Sequence, residues 1–330
     1  MPARTDKNAG FSPAASAILQ RSGAPYSSFE HLVLSVCSDR GMGWRFVMTD
    51  ALTVYVDDSG TDPKSRVAAA AFCVSSVERW QEFLAKWNKI AEHAGFELKN
   101  FHMTEFAACR RDHLCQQCLV GHTTATDHPW QKWTEAKREN VLNRMAKALV
   151  KHVEWGVGHA YTKKDYDEHV RHSPARAVLG DPVAEEYVTF AVQRCGGSLA
   201  EWRAANFRSD RLKFVFDTSS AREKRDIANV FFAAANDRAQ RVNGIEQWFN
   251  PEEGVAYESR KKTHQLLSAD MLAWTIGSIR ALDMFRRGRF VESYWLAKVF
   301  VSSEHVKIGY LSKDTLAQWE QDKLNEAAAR

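Results

Sequence analysis

The sequence predicts an α/β protein in which helices pack on a β-sheet, and three observations carry that expectation. Short apolar runs of strand length alternate with longer segments whose apolar residues recur at helical spacing. Turn-forming clusters such as Asp58-Ser59-Gly60 and Asp62-Pro63 separate the two kinds of segment. The chain of 330 residues is 45% hydrophobic, enough for one large core, or one core with a modest appendage.

Residues 1–49 read as a poorly ordered N-terminal extension, because they are rich in Ser, Ala and Gly and hold one short apolar run, Leu32 to Val36. Residues 50–330 read as a single domain with insertions. Met48 stands just before the first strong strand, so a translation start there would yield a complete core. That strand, Ala51 to Val56, is apolar or β-prone at nearly every position, as in a central strand covered on both faces. A second follows at Arg66 to Val74, where four successive alanines predict close packing of another element. A helix comes next. Trp80, Phe83, Leu84, Trp87 and Ile90 form its apolar stripe, Ser75 and Glu78 a capping box, and Gly95 its end. Val141, Leu142, Met145 and Leu149 mark another helix, followed by a strand from Glu154 to Tyr161. Asp181-Pro182 reads as a helix start and Gly196-Gly197 as its stop. Leu212 to Phe216 is a short buried strand ending at Asp217, and helices at about 221–239 and from about Thr263 to Phe285 complete the pattern.

Composition narrows the function classes. No stretch reaches the roughly 18 uninterrupted apolar residues of a membrane helix, and the N-terminus lacks the pattern of a signal peptide. Six cysteines without framework-like spacing suit a reducing compartment, so a cytoplasmic protein with no membrane partner is expected. Lys plus Arg outnumber Asp plus Glu by 45 to 41, too small an excess to identify a nucleic-acid partner by itself.

Three aspartates stand out. Asp57 and Asp217 each end an apolar strand, at the kind of sheet edge where ligands are held. A lone Asp in such a place is more simply a turn former or helix cap, a reading that two such residues weaken. Asp270 is different, because Leu266, Ala273, Trp274 and Gly277 share its helix face. A carboxylate on an apolar face needs neutralisation, an ion pair or a metal. Glu105, in the stretch His102-Met-Thr-Glu105, is a fourth candidate.

Tyr55-Val-Asp57-Asp58-Ser59-Gly60, His102-Met-Thr-Glu105, Phe214-Val-Phe-Asp217 and Ser268-Ala-Asp270-Met-Leu-Ala273-Trp274 together resemble the bacterial domain-of-unknown-function family 3800. That family opens with a Val-Asp-Glu-Ser-Gly strand and closes with an Ala-Asp-hydrophobic-hydrophobic-Ala helix. The likeness spans roughly Leu52 to Gly277. It implies an RNase H-like mixed sheet with helices packed on it, and a nuclease-type centre. Asp58 replaces the family's Glu, and Leu267 stands where a Gln commonly precedes Ala-Asp. Under this resemblance Asp57, Glu105, Asp217 and Asp270 are the expected ligands of Mg²⁺ or Mn²⁺, with Asp58 supporting them; His102 either assists proton transfer or, more simply, is a surface or core-satisfied histidine. Hard divalent ions favour such oxygen donors, and two of them can activate water against a phosphodiester.

Other signals compete. Cys109, Cys115, Cys118 and His122, with His113 between them, offer soft ligands for Zn²⁺, although the spacing fits no standard zinc pattern. Arg260-Lys261-Lys262, Arg286-Arg287 and Arg289 flank the helix of Asp270, where they could meet phosphates or simply serve as charged helix ends. Of eleven tryptophans, Trp80, Trp87 and Trp274 fall on apolar stripes and belong to the core, leaving Trp248-Phe249 as the exposed aromatic candidate. The expected function is a metal-dependent nuclease. Its rivals are a non-catalytic RNase H-like module that binds nucleic acid or protein, and a zinc-stabilised interaction protein.

Overall fold

The computed structural model describes residues 52–60, 65–108, 129–174, 187–206, 212–217, 255–285 and 291–328. Six strands, β1 (Leu52–Ser59), β2 (Val67–Ser76), β3 (Trp155–Thr162), β4 (Leu212–Asp217), β5 (Val255–Glu258) and β6 (Val306–Tyr310), form one mixed sheet in the order β5-β4-β1-β2-β3-β6. β1, β2 and β3 pair antiparallel, whereas β4, β5 and β6 join by parallel pairing. The expected α/β class with helices packed on a mixed sheet is what the chain adopts. Among the described residues no helix is long and apolar enough to cross a membrane.

Eight α-helices are described: α1 (Val77–Ala94), α2 (Met103–Ala108), α3 (Glu135–His152), α4 (Lys163–Tyr166), α5 (Tyr187–Ala205), α6 (Leu266–Phe285), α7 (Val291–Val301) and α8 (Lys313–Ala328). Strand alternation divides the core between two faces. Tyr55, Ala69, Ala71, Cys73 and Val215 join α1, α3, α6 and α7 on one face, and Val54, Val56, Phe72, Phe214 and Phe216 join α5 and α8 on the other. The alanine run of β2 is the contact surface on both sides. The Gly277 backbone of α6 comes so near that a Cβ there would lie 3.4 Å from the Ala69 Cβ, and Cys195 Sγ of α5 donates to the Ala70 carbonyl at 3.3 Å. Gly158 of β3 makes room for the same helix, since a Cβ on it would fall 2.0 Å from Ile276 Cδ1 and displace that side chain.

α1 shows how the local code works. The Ser76 hydroxyl accepts from the Arg79 N–H at 3.4 Å, and Gly95 takes the left-handed conformation that ends the helix. Trp80, Phe83, Trp87 and Ile90 are buried, each stabilising by about 1.5–3 kcal/mol. The two indole N–H groups that this burial would strand donate to Thr53 O at 3.1 Å and Met145 O at 3.0 Å.

Several sequence expectations shift. β1 continues through Asp57 and Asp58 to Ser59, so Asp57 lies inside the strand, because β2 supplies antiparallel partners up to Ser59↔Ala69. The N-cap of α1 is Ser76 rather than Ser75, whose hydroxyl instead donates to His152 O at 2.6 Å. α5 runs through Gly196-Gly197 to Ala205; both glycines pack into a helix whose burial outweighs their low propensity. The long helix at Leu266 is followed by α7, β6 and α8, and β5 precedes it; these four elements were not anticipated. The N-terminal extension, the helix expected at 221–239 and Trp248-Phe249 lie outside the described residues.

Candidate functional site

The site is built at the C-terminal edge of three parallel strands. β1 and β4 are in register from Leu52↔Leu212 to Val56↔Phe216, so the next step sets Asp57 beside Asp217. β4 and β5 pair up to Asp217↔Glu258. Asp57 follows Tyr55 in alternation and Asp217 follows Val215, which puts both carboxylates on the face that α6 covers. Both are buried, at 5% and 3% exposure, which removes the turn-former reading of exposed loop residues. Asp57 Oδ1 accepts from the Asp58 N–H at 2.9 Å. Asp217 Oδ2 lies 3.9 Å from Arg260 Nε, a cation delivered by the turn between β5 and α6. Asp58 is half-buried.

Asp270 arrives from above. α6 is buried all round from Leu266 to Ile276, with the sheet beneath it and α2 and α7 on its other sides. Gly277 sits against Ser59 near the end of β1. Asp270 is seven residues earlier on the same stripe, about 10 Å back along the helix, which corresponds to about three strand residues. That takes it back along β1 to about the level of Val56, on the face that α6 covers. Its charge is met locally: Oδ2 accepts from the Met103 N–H at 3.0 Å and Oδ1 lies 3.6 Å from His102 Nε2. His102 Nδ1 in turn is 4.0 Å from Glu105 Oε1. His102, Glu105 and Asp270 thus form one chain of groups at the N-terminus of α2, and Glu105 is three-quarters buried although nothing in its local sequence indicates it.

This small group is clamped from the far side. Arg138 of α3, 4% exposed, donates from Nη2 to the Phe106 carbonyl and from Nη1 to Trp130 O at 3.1 Å. Its charge is balanced by Glu292 of α7, 1% exposed, with Nη2 at 3.2 Å from Oε1. The pair joins α2, α3 and α7.

Comparison with family models, curated proteins and solved structures returns no match.

The strands therefore bring Asp57 and Asp217 together, and α6 and α2 add Asp270, His102 and Glu105 as a second group on the same face. Among the described residues, no three His, Cys, Asp or Glu side chains stand in a ready-made metal-holding arrangement. Arg260, Lys261 and Lys262 flank the sheet edge, with the two lysines exposed. Arg286, Arg287 and Arg289, and the whole set Cys109, His113, Cys115, Cys118 and His122, lie outside the described residues. A cleft between α3 and α7, walled by Lys147, Trp295, Lys298 and His305, contains none of the candidate residues.

Glu258 and the Arg138–Glu292 pair were missed. Glu258 ends β5, and the signal for it was present: Val255-Ala-Tyr-Glu258 repeats the strand-then-carboxylate pattern of β1 and β4, directly before a basic turn. The Arg138–Glu292 pair had no local signal, since 154 residues separate its members.

Proposed function

We propose that this chain is a divalent-metal-dependent phosphodiesterase acting on nucleic acid, with an RNase H-like core of the kind its motifs suggest. The observation that carries this reading is the parallel register of β1 and β4, which runs to Val56↔Phe216, one residue before Asp57 and Asp217, beside the helix that holds Asp270. Buried carboxylates repel one another, and oxygen-only donors suit Mg²⁺ or Mn²⁺. Asp57 and Asp217 would hold the ion, with Asp270 and Glu105 completing the set. When bound, such ions activate water and stabilise the leaving oxygen of a phosphodiester.

The chain's own groups have distinct tasks. The Met103 N–H fixes the Asp270 carboxylate, as supporting hydrogen bonds do around metal ligands. His102 stands between the two carboxylates, 3.6 Å from Asp270 Oδ1 and 4.0 Å from Glu105 Oε1, and so links the α6 and α2 parts of the proposed site. Arg260, Lys261 and Lys262 offer positive charge to phosphates at the rim. Cys73 and Cys195, both buried and free, fit a reducing, cytoplasmic setting.

A second reading has its own support: Arg260 already stands at Asp217, and the carboxylates form no ready metal cage. A non-catalytic module would hold nucleic acid by this basic turn alone. Cleavage of a panel of labelled DNA and RNA, with and without Mn²⁺, separates the two. The first reading expects Mn²⁺-dependent cleavage lost in Asp57→Asn. Metal-indifferent binding with no cleavage, abolished by Lys261→Glu and Lys262→Glu, would establish the second.

A further inference from the structure

The cleft between α3 and α7 shares no residue with the acidic edge, and the topology of the chain explains why it opens. α3 leads into β3 and α7 into β6, and β3 and β6 pair in parallel, so the two helices run side by side in one direction. They are tied at both ends. Arg138 meets Glu292 at 3.2 Å near their starts, and beyond their last turns the Gly156 N–H donates to His305 O at 2.7 Å. Between these ties lies a cleft of about 720 Å³. Sites that hold small molecules span roughly 300–1,000 Å³.

Helical spacing arranges the cleft's chemistry. Glu139, Asn143 and Lys147 recur every four residues on α3 and form one stripe, at steps of about 6 Å. Trp295, Lys298 and Val299 form the facing stripe on α7. Trp295 is 9% exposed and Val299 half-buried, so these two make an apolar floor, whereas Lys147 and Lys298 are exposed and stand one on each wall. Lys298 is six residues beyond Glu292 and Lys147 nine beyond Arg138, so the lysines differ by about 4.5 Å in level along the groove. Glu139, one residue beyond Arg138, lies about 8–12 Å back from them, at the other end of the floor.

These groups are held in readiness rather than used internally. The indole N–H groups of Trp80 and Trp87 donate to carbonyls, but that of Trp295 has no acceptor among the described residues and is not sealed from solvent. Neither Lys147 nor Lys298 has an ion-pair partner among the described residues, although Glu139 and Glu304 border the same cleft. The helix dipole alone favours lysines towards a C-terminus. It accounts for their charge, but not for the gap beside them or for the carboxylate at its far end.

We propose that this cleft binds a nucleoside monophosphate. The phosphate lies between Lys147 and Lys298, the base rests on Trp295 and Val299, and N–H groups of the base donate to Glu139. Both cations meet the phosphate by charge-assisted hydrogen bonds. No metal at the acidic edge is needed for this binding.

Equilibrium dialysis of the full chain against labelled guanosine monophosphate, with EDTA present to strip divalent ions, reads the site without any turnover. Saturable binding is expected, weakened by about tenfold or more in the double variant Lys147→Glu with Lys298→Glu. Both lysines are exposed, so circular dichroism of that variant should stay native. Inorganic phosphate should displace the nucleotide only at far higher concentration, and Asp57→Asn should bind it as the unaltered chain does. No saturable uptake up to about 10 mM, or undiminished binding in the lysine variant, would overturn the proposal. Displacement by phosphate as effective as by the nucleotide would reduce the cleft to a simple anion contact and overturn it too. Loss of binding in Asp57→Asn would put the nucleotide at the acidic edge instead.

Discussion

Removing Glu292 tests the clamp behind the site. In Glu292→Leu the buried Arg138 guanidinium would keep its bonds to the Phe106 and Trp130 carbonyls and the Phe106 ring, 4.2 Å from its centre, but would lose the Glu292 carboxylate. Desolvating an ion costs several kcal/mol, and breaking a buried pair by deleting one partner costs about 3–5 kcal/mol. The double variant Arg138→Met with Glu292→Leu removes both charges and refills the space with apolar atoms. It should recover most of that loss, because an apolar replacement of a buried pair is often neutral or stabilising. Urea unfolding of the four species, arranged as a double-mutant cycle, measures this directly. A cost below about 1 kcal/mol for Glu292→Leu is the value of a surface pair, and it would refute the buried clamp. Because Arg138 also holds the Phe106 carbonyl, Arg138→Met alone should speed amide exchange in α2, where His102 and Glu105 begin the helix.

Three further outcomes are expected. Mg²⁺ at about a hundredfold over its dissociation constant should stabilise the native chain by about 2.7 kcal/mol, seen as a raised melting temperature; an equal rise in Asp57→Asn would remove that residue from the site. Asp270→Ala strands the buried Met103 N–H and should cost about 1–3 kcal/mol, whereas Asp270→Asn keeps an oxygen for it and should cost less; equal losses would show that the bond contributes nothing. Burial, then the Arg194 charge, pushes the His159 imidazole down to about 4, from 6.5. The unfolded chain therefore takes up this proton first, so the stability of the neutral ring is whole above pH 6.5 and is lost as pH falls towards 4, at about 1.4 kcal/mol per unit. His159→Gln should flatten that slope, and unchanged acid sensitivity in the variant would exclude His159 as its source.

What the sequence by itself determined was whatever depends on near neighbours. Apolar runs marked β1, β2, β3 and β4, the Trp80–Ile90 stripe marked α1, and the apolar setting of Asp270 identified a charge in need of a partner. The alanines of β2 were legible as a close-packing surface because small side chains have few other reasons to occur in a run. Tertiary structure alone decided the rest, because strand register joins residues that no periodicity connects. It set Asp217 next to Asp57, and Glu258 next to Asp217, by hydrogen bonds between strands far apart in the chain. It likewise gave Asp270 a backbone N–H from residue 103 and gave Arg138 a carboxylate from residue 292. β5 escaped the sequence reading because four half-buried residues at a sheet edge carry little apolar signal, although their last residue stands in the same row as the aspartates. Asp270 was legible because its own helix face is apolar, whereas Arg138 and Glu292 were not, and in both cases the partner that offsets the burial is chosen by the fold.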